Sequence, residues 1–385
     1  MNRPRLTLTA SLFLLLSTPL AAQAPNPDQT QTFEGEIEVR EIGVVVDPPD
    51  GKRIGSLSPA DILVFEDGAP RQVIKTEPLR PGSGPSPWRI VLYFDRVLAR
   101  PQTVHDAALA FSRQAGDLTG LGPVEVVTAH PKPGVELAAT QDARSLSAIL
   151  GGIAALAAKD VHPARKEPQP AAPDPAVLRQ QLDQLTAFLG SRPGGAARAL
   201  FLVADGFVPT PGEAAFLTQQ DPGAPVPPGT LAAVLRDSSR ALAASGWVTF
   251  AGPLRDSTAE RERRSMADME RIRVMGGGSD NTNGTPPVIQ MPPADRGVRG
   301  DARVADVFSR PDSAPWLALT QPTAGTVLGV EAQLASLIDG LARRWLIWYQ
   351  APETADGKLR ALEVRLPGAG EPLRSPRWVR SSPGR

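Results

Sequence analysis

Two hydrophobic patterns alternate along the middle of this chain. Short apolar runs give way to longer segments whose apolar positions recur at helical spacing. The run Arg89-Ile-Val-Leu-Tyr-Phe94 is almost continuous in apolar character, as a parallel strand covered on both faces requires. Pro101 suits the first turn of a helix, and Val104, Ala107, Ala108, Phe111 and Ala115 follow it at helical spacing. Pro123 to Thr128 and Val135 to Ala138 read as strands. Asp142 caps a helix that carries Leu146, Ile149, Leu150 and Ile153. A loop over 158–175, rich in Pro, Ala and charge, leads to a helix from Ala176 to Leu189. A second apolar run from Arg198 ends on Asp205, and the helix Thr230 to Ala244 with the strand Trp247 to Ala251 adds another repeat. Alternation of this kind predicts an α/β fold with a doubly wound, mostly parallel sheet.

On either side the pattern is β-like. Residues 33–80 carry Ile37, Val39 and Val44 to Val46, a turn at Asp47 to Gly51, then Leu57 to Asp61 and Ile62 to Phe65. A turn at Glu66-Asp67-Gly68 and the run Gln72 to Lys75 complete that segment. Pro78 to Pro87 holds four prolines and two glycines, so 81–87 reads as a linker. The main domain is expected over 88–343, closing with Trp316 to Leu319 and a helix Val330 to Leu341. Within it, 255–314 breaks the rhythm and reads as a mobile insertion, with a short helix around Thr258 to Arg273. Trp345 to Tyr349, a turn at Asp356-Gly357, Leu359 to Leu366 and Arg377 to Arg380 are β again. The segment 344–385 is therefore expected to pair with 33–80 in one small accessory β module. Trp345 and Trp348 fall on opposite faces of their strand, and burial is the preferred reading for both over an exposed anchor.

Composition narrows the function classes. The 385 residues carry 41 Lys and Arg against 41 Asp and Glu, so no global field recruits nucleic acid or an anionic membrane. At the N-terminus, Arg3 and Arg5 precede the apolar stretch Leu6 to Leu16 and then Ala22-Gln23-Ala24. That order reads as a secretory signal peptide over 1–24 followed by a flexible leader over 25–32. The apolar stretch is well short of the ~20 residues that span hydrocarbon, so no transmembrane anchor is expected. The expected location is exported, periplasmic or secreted. No cysteine occurs, which excludes disulfides, thiolate zinc sites and a cysteine nucleophile.

The run Trp88 to Phe94 ending on Asp95 resembles the first strand of a von Willebrand factor type A domain. Further landmarks follow in order: Leu57-Ser-Pro-Ala-Asp61 through Glu66-Asp67-Gly68, Thr140-Gln-Asp142, Ala204-Asp205-Gly206 and Thr323-Ala-Gly325. Together, from about Phe33 to Val379, they resemble the VWFA-related proteins common in Acidobacteria. The resemblance implies an A-type domain and, in intact members, a Mg²⁺ site opened by Asp-x-Ser-x-Ser and completed by a second-loop threonine and a fourth-strand aspartate. Here Asp95 is followed by Arg96-Val97-Leu98-Ala99, so neither serine position carries an oxygen, and the Pro-rich 158–175 segment replaces the threonine loop. Asp95 and Asp205 are thus vestigial positions of a degenerate site. No cofactor is expected, with Mg²⁺ the one ion the resemblance leaves open, and Arg96 and Arg100 add charge that repels it.

Other chemistry is sparse. His105, His130 and His162 show no metal-ligand spacing, and no Gly-x-Ser-x-Gly turn or Gly-Lys-Ser/Thr phosphate loop occurs. The expectation is a non-enzymatic, adhesion-type protein-binding module. Its ligand face would be the loops at the carboxyl ends of the strands, Asp95 to Arg100, His130 to Gly134 and Asp205 to Pro211. Partner-binding candidates there are Arg96, Arg100, Asp95 and Asp205, and the partner is an unknown protein or envelope component. The alternatives are a structural envelope component and a hydrolase with a site between the β module and the A-type domain.

Overall fold

Trp88–Asp95 forms strand β5, the centre of a five-stranded sheet in the computed structural model. The structure describes residues 41–47, 57–80, 88–161, 174–192, 197–205, 226–227, 229–254, 314–351, 356–367 and 373–380. All of them belong to one compact unit, Val39–Arg385. The expected signal peptide, leader, linker 81–87 and most of the insertion, 255–313, lie outside the described residues, as do His162 and Gly206 to Pro211.

The five strands are β5, β6 (Val124–Ala129), β7 (Pro133–Thr140), β8 (Ala197–Val203) and β9 (Trp247–Gly252), in spatial order β7-β6-β5-β8-β9. Pairings β5–β6, β5–β8 and β8–β9 are parallel, and only edge strand β7 runs antiparallel. An antiparallel edge on an otherwise parallel sheet is common in doubly wound folds. Alternation along each strand fills two cores. Ile90, Leu92, Phe94, Phe201 and Phe250 face α1 (Pro101–Arg113), α2 (Ala115–Leu121), α3 (Ala143–Asp160) and α7 (Glu331–Ala342). Val91, Tyr93, Leu200 and Leu202 face α4 (Pro175–Gly190), α5 (Leu231–Ala244) and α6 (Ala314–Thr320). Phe94, Phe111, Phe201 and Phe250 form a ladder with centroid separations of 6.2, 5.5 and 4.8 Å.

The chain leaves β5 through α1 and α2 on one face and leaves β8 through α5 on the other. The switch point therefore lies between the carboxyl ends of β5 and β8, where open α/β sheets place their ligand crevice. Beyond β9 the segment from Thr323 follows the open sheet edge. Thr323 Oγ1 accepts from Thr249 N at 3.0 Å and Leu328 N donates to Ala251 O at 2.9 Å. A Cβ at Gly325 would sit 1.7 Å from Thr249 O, so only glycine allows this approach. The Thr-Ala-Gly motif is edge protection.

The flanking β segments also meet. β1 (Glu41–Val46), β10 (Trp345–Gln350) and β4 (Val73–Pro78) form one antiparallel sheet. β12 (Trp378–Arg380), β11 (Leu359–Arg365), β2 (Leu63–Glu66) and β3 (Ala69–Arg71) form another. Trp345, Ile347 and Tyr349 fill the core between these sheets, while Leu346 and Trp348 pack on the first core of the main sheet. Trp348 Nε1 donates to Glu77 Oε2 at 3.1 Å and its ring covers Gly43, so this tryptophan is a packing residue.

Candidate functional site at the strand ends

Asp95 is the last residue of β5 and is 2% exposed. Its Oδ1 accepts from Val97 N and Leu98 N, both at 3.0 Å, and Ala99 N donates to Asp95 O at 2.8 Å. The carboxylate thereby fixes the turn that carries Arg96 and Arg100. Among the described residues its Oδ2 takes no hydrogen bond and no cation pairs with it. Burial pushes the Asp95 acid up to about 6, against the opposing pull of the Leu98 and Val97 amides.

Asp205 follows β8 and is 4% exposed. Its amide donates to Leu98 O at 3.0 Å, which ties the ends of β5 and β8 together. Oδ1 accepts from Arg100 N at 3.0 Å, and Oδ2 accepts from Arg100 Nε at 2.7 Å and from Thr103 Oγ1. Arg100 is the N-cap residue of α1 and provides no side-chain cap of its own. A carboxylate from the neighbouring strand satisfies the helix start instead and meets a positive helix end. Thr103, which sequence reasoning missed, completes the cluster from the first turn of α1. Its spacing after Arg100-Pro101 was the available signal.

Of the four predicted residues, the fold brings Asp95, Arg100 and Asp205 into one hydrogen-bonded turn system. It turns Arg96 away, to Asp160 at the end of α3, with Nη2 3.2 Å from Oδ2. His130 follows β6 and lines a pocket with this pair. His105 is spent structurally, its Nδ1 lying 3.0 Å from Ala154 O.

A divalent ion at Asp95 and Asp205 would need near-octahedral oxygen ligation. The described residues do not fit one. Val97 and Ala99 supply no oxygen, both oxygens of Asp205 already accept hydrogen bonds, and the Arg100 guanidinium lies against the acid where the ion's charge would be. Among the described residues no three His, Cys, Asp or Glu side chains converge as metal ligands.

Other landmark motifs are structural too. Asp142 caps α3, accepting from Arg144 N at 3.0 Å and Ser145 N at 3.3 Å. Ser58 and Asp61 form a capping box. Asp67 and Gly68 take positive φ of 49° and 78° in the β2–β3 turn, and Asp67 Oδ1 accepts from Ala361 N at 2.7 Å. Glu66 pairs with Arg360 at 3.1 Å and Arg71 at 3.3 Å.

These features define the class: a doubly wound α/β domain in which Arg100 and Thr103 at the start of α1 are bonded to Asp205 at the switch point. No family model and no curated protein matches the chain. Among solved structures, the conserved hypothetical protein BatB from Bacteroides thetaiotaomicron aligns at 12% identity over 42% of this chain and 64% of that chain, TM-score 0.24. An aerotolerance-related membrane protein from Bacteroides fragilis aligns at 12% over 42% and 65%, TM-score 0.21. The vWF domain of the type V pili tip protein Mfa5 from Porphyromonas gingivalis aligns at 9% over 68% and 95%, TM-score 0.34. The matched region spans less than two thirds of the first two proteins' own length. At TM-scores this low the likenesses carry no argument, and the fold class rests on strand order and direction. Among the described residues, no helix is long and apolar enough to cross a membrane.

Proposed function

We propose that this chain is an exported, non-enzymatic protein-binding module of the von Willebrand factor A-like class, related to the acidobacterial group, that engages its partner without a metal ion. The observation that carries this reading is the saturation of Asp205 by Arg100 and Thr103. Interactions among its own residues hold the strand-end face, so no ion is needed to organise it. The ordered landmarks from Leu57 to Gly325 and the strand order support the A-type assignment, and the signal-like N-terminus supports export. Among the described residues the strand ends bring together no nucleophile, base and orienting group, which favours binding over catalysis.

The test is affinity capture from envelope extract with the mature protein, with and without EDTA, beside light scattering on the purified chain. A partner captured equally under both conditions by a monomeric protein supports the reading. Capture abolished by EDTA, or a chain that self-assembles and captures nothing, overturns it.

A further inference from the structure

A small pocket opens next to the Arg100–Asp205 pair, on the β6 side. Its volume is about 150 Å³, and Ala99, Pro101, Val104 and Ala157 give it an apolar floor. Arg96, His130 and Asp160 form its polar rim. The turn beside it buries both strand-end acids and pairs Arg100 with Asp205, so the charged groups at the pocket's rim are the exposed Arg96–Asp160 pair, with exposed His130 and Lys132 on the neighbouring turn.

We infer that this pocket receives an acidic side chain of a protein partner, with the carboxylate on Arg96 and an adjacent small apolar residue on the floor. The inference rests on the protein-binding reading above and names the chemistry of the partner. Size favours a side chain over a metabolite, because small-molecule sites usually enclose ~300–1,000 Å³. Charge favours a carboxylate, because the guanidinium fork matches one in bidentate geometry. Asp160 does not close the site. Its contact with Arg96 uses one nitrogen at 3.2 Å, between side chains 35% and 55% exposed, and a surface pair of that kind exchanges readily. Asp160 acts as a stand-in for the incoming acid.

The probe is the peptide acetyl-Ala-Asp-Val-Ala-amide, with its Asn counterpart as the uncharged control. The readout is the ring signal of His130 in mature protein labelled at histidine. The Asp peptide is expected to shift that signal with millimolar saturation. The Asn peptide should bind about tenfold more weakly, the ratio that about 1.4 kcal/mol carries. Arg96→Gln should reduce the Asp peptide to the level of the control, while Arg113→Gln at the far end of α1 leaves it unchanged. Asp160→Asn should tighten the Asp peptide by up to about fivefold, since it removes the competing acid. A merely structural Asp160 would not do that. Equal response to both peptides, no response, indifference to Arg96→Gln, or weaker binding in Asp160→Asn would each overturn the site. Envelope capture undiminished by Arg96→Gln removes this pocket and leaves the protein-binding reading intact. Absence of all capture beside a normal peptide response removes that reading and not the pocket.

Discussion

Glu66 closes β2 in the β module and Asp95 closes β5 in the parallel sheet, and the two carboxylates are equally hidden, at 1% and 2% exposure. Their surroundings differ. Glu66 sits between Arg71 and Arg360, and the Arg360 guanidinium also holds Asp356 at 3.0 Å. Asp95 has two backbone amides on one oxygen and, among the described residues, no cation. Asp205 lies between these extremes, with one guanidinium, one hydroxyl and one amide. A buried charge is tolerated when it is paired and hydrogen-bonded and is costly otherwise. Glu66 and Asp205 are therefore structural acids, and among the described residues the burial of Asp95 is offset only in part, by the Val97 and Leu98 amides. Partly offset burial of this kind is common at sites built for something other than stability.

The same isosteric edit should separate the three. Glu66→Gln leaves two arginines facing a neutral amide in a closed core and is expected to destabilise by about 3 kcal/mol. Chemical unfolding that showed less than about 1 kcal/mol would mean that the β module does not depend on this pair. Arg100→Ala comes next. It strands Asp205 with an amide and a hydroxyl, at a cost of about 2 kcal/mol, lowered because the arginine is 38% exposed and solvent screens part of the pair. If Arg100→Ala were silent, the guanidinium would not be what holds β8 to the start of α1.

Much of this fold was legible because burial on both faces writes itself as continuous apolar runs. Trp88–Asp95 and Ala197–Val203 are such runs, and Pro101 and Asp142 mark helix starts by capping chemistry. The antiparallel sense of β7 was not legible, since direction depends on the short turn through Lys132 and not on side-chain period. Helix α2 was missed because Ala115–Leu121 contains two glycines and an aspartate and is held by Leu118 and Leu121 against the core. At the site, the four candidate residues were visible as charges at strand ends. Their pairing was not, because Arg100 and Asp205 are 105 residues apart and Arg96 meets Asp160 across 64. The Leu57-to-Gly68 motif could be recognised as a pattern, yet its content, a capping box, a tight turn and a two-arginine clamp, needed coordinates.

Asp95→Asn should move stability the other way. The acid rises from 3.8 in the open chain to about 6 when folded, so the folded state binds the proton more tightly than the unfolded state. Its contribution to stability is then full below pH 4, falls as pH rises through the interval from about 4 to 6, and stays low above it. That shift corresponds to roughly 3 kcal/mol, and an amide that keeps the Val97 and Leu98 bonds should recover about 1–2 kcal/mol of it at pH 7.5. The difference between variant and parent is the sharp quantity, because every other titration cancels in it. Parallel unfolding series should show that difference near zero at pH 3.5 and growing up to neutral pH. A constant difference, or a variant less stable than the parent at pH 7.5, would place Asp95 with Glu66 among the satisfied acids.

Magnesium offers the smallest effect and the finest discrimination between the two acids of the sheet. A ligand that binds only the folded state adds about 2.7 kcal/mol at a hundred times its dissociation constant, so even a weak site would register in a thermal scan at millimolar ion. The parent is expected to show no shift with Mg²⁺ and none with EDTA, because Arg100 and Thr103 already occupy Asp205. The Arg100→Ala background makes the question stricter, since it removes the resident cation but adds no oxygen at Val97 or Ala99. If hydroxyl ligands are what the site lacks, Mg²⁺ will fail to restore Arg100→Ala. If the guanidinium is the sole obstacle, Mg²⁺ will raise the melting temperature of Arg100→Ala towards that of the parent, and the parent's indifference to the ion will trace to one side chain.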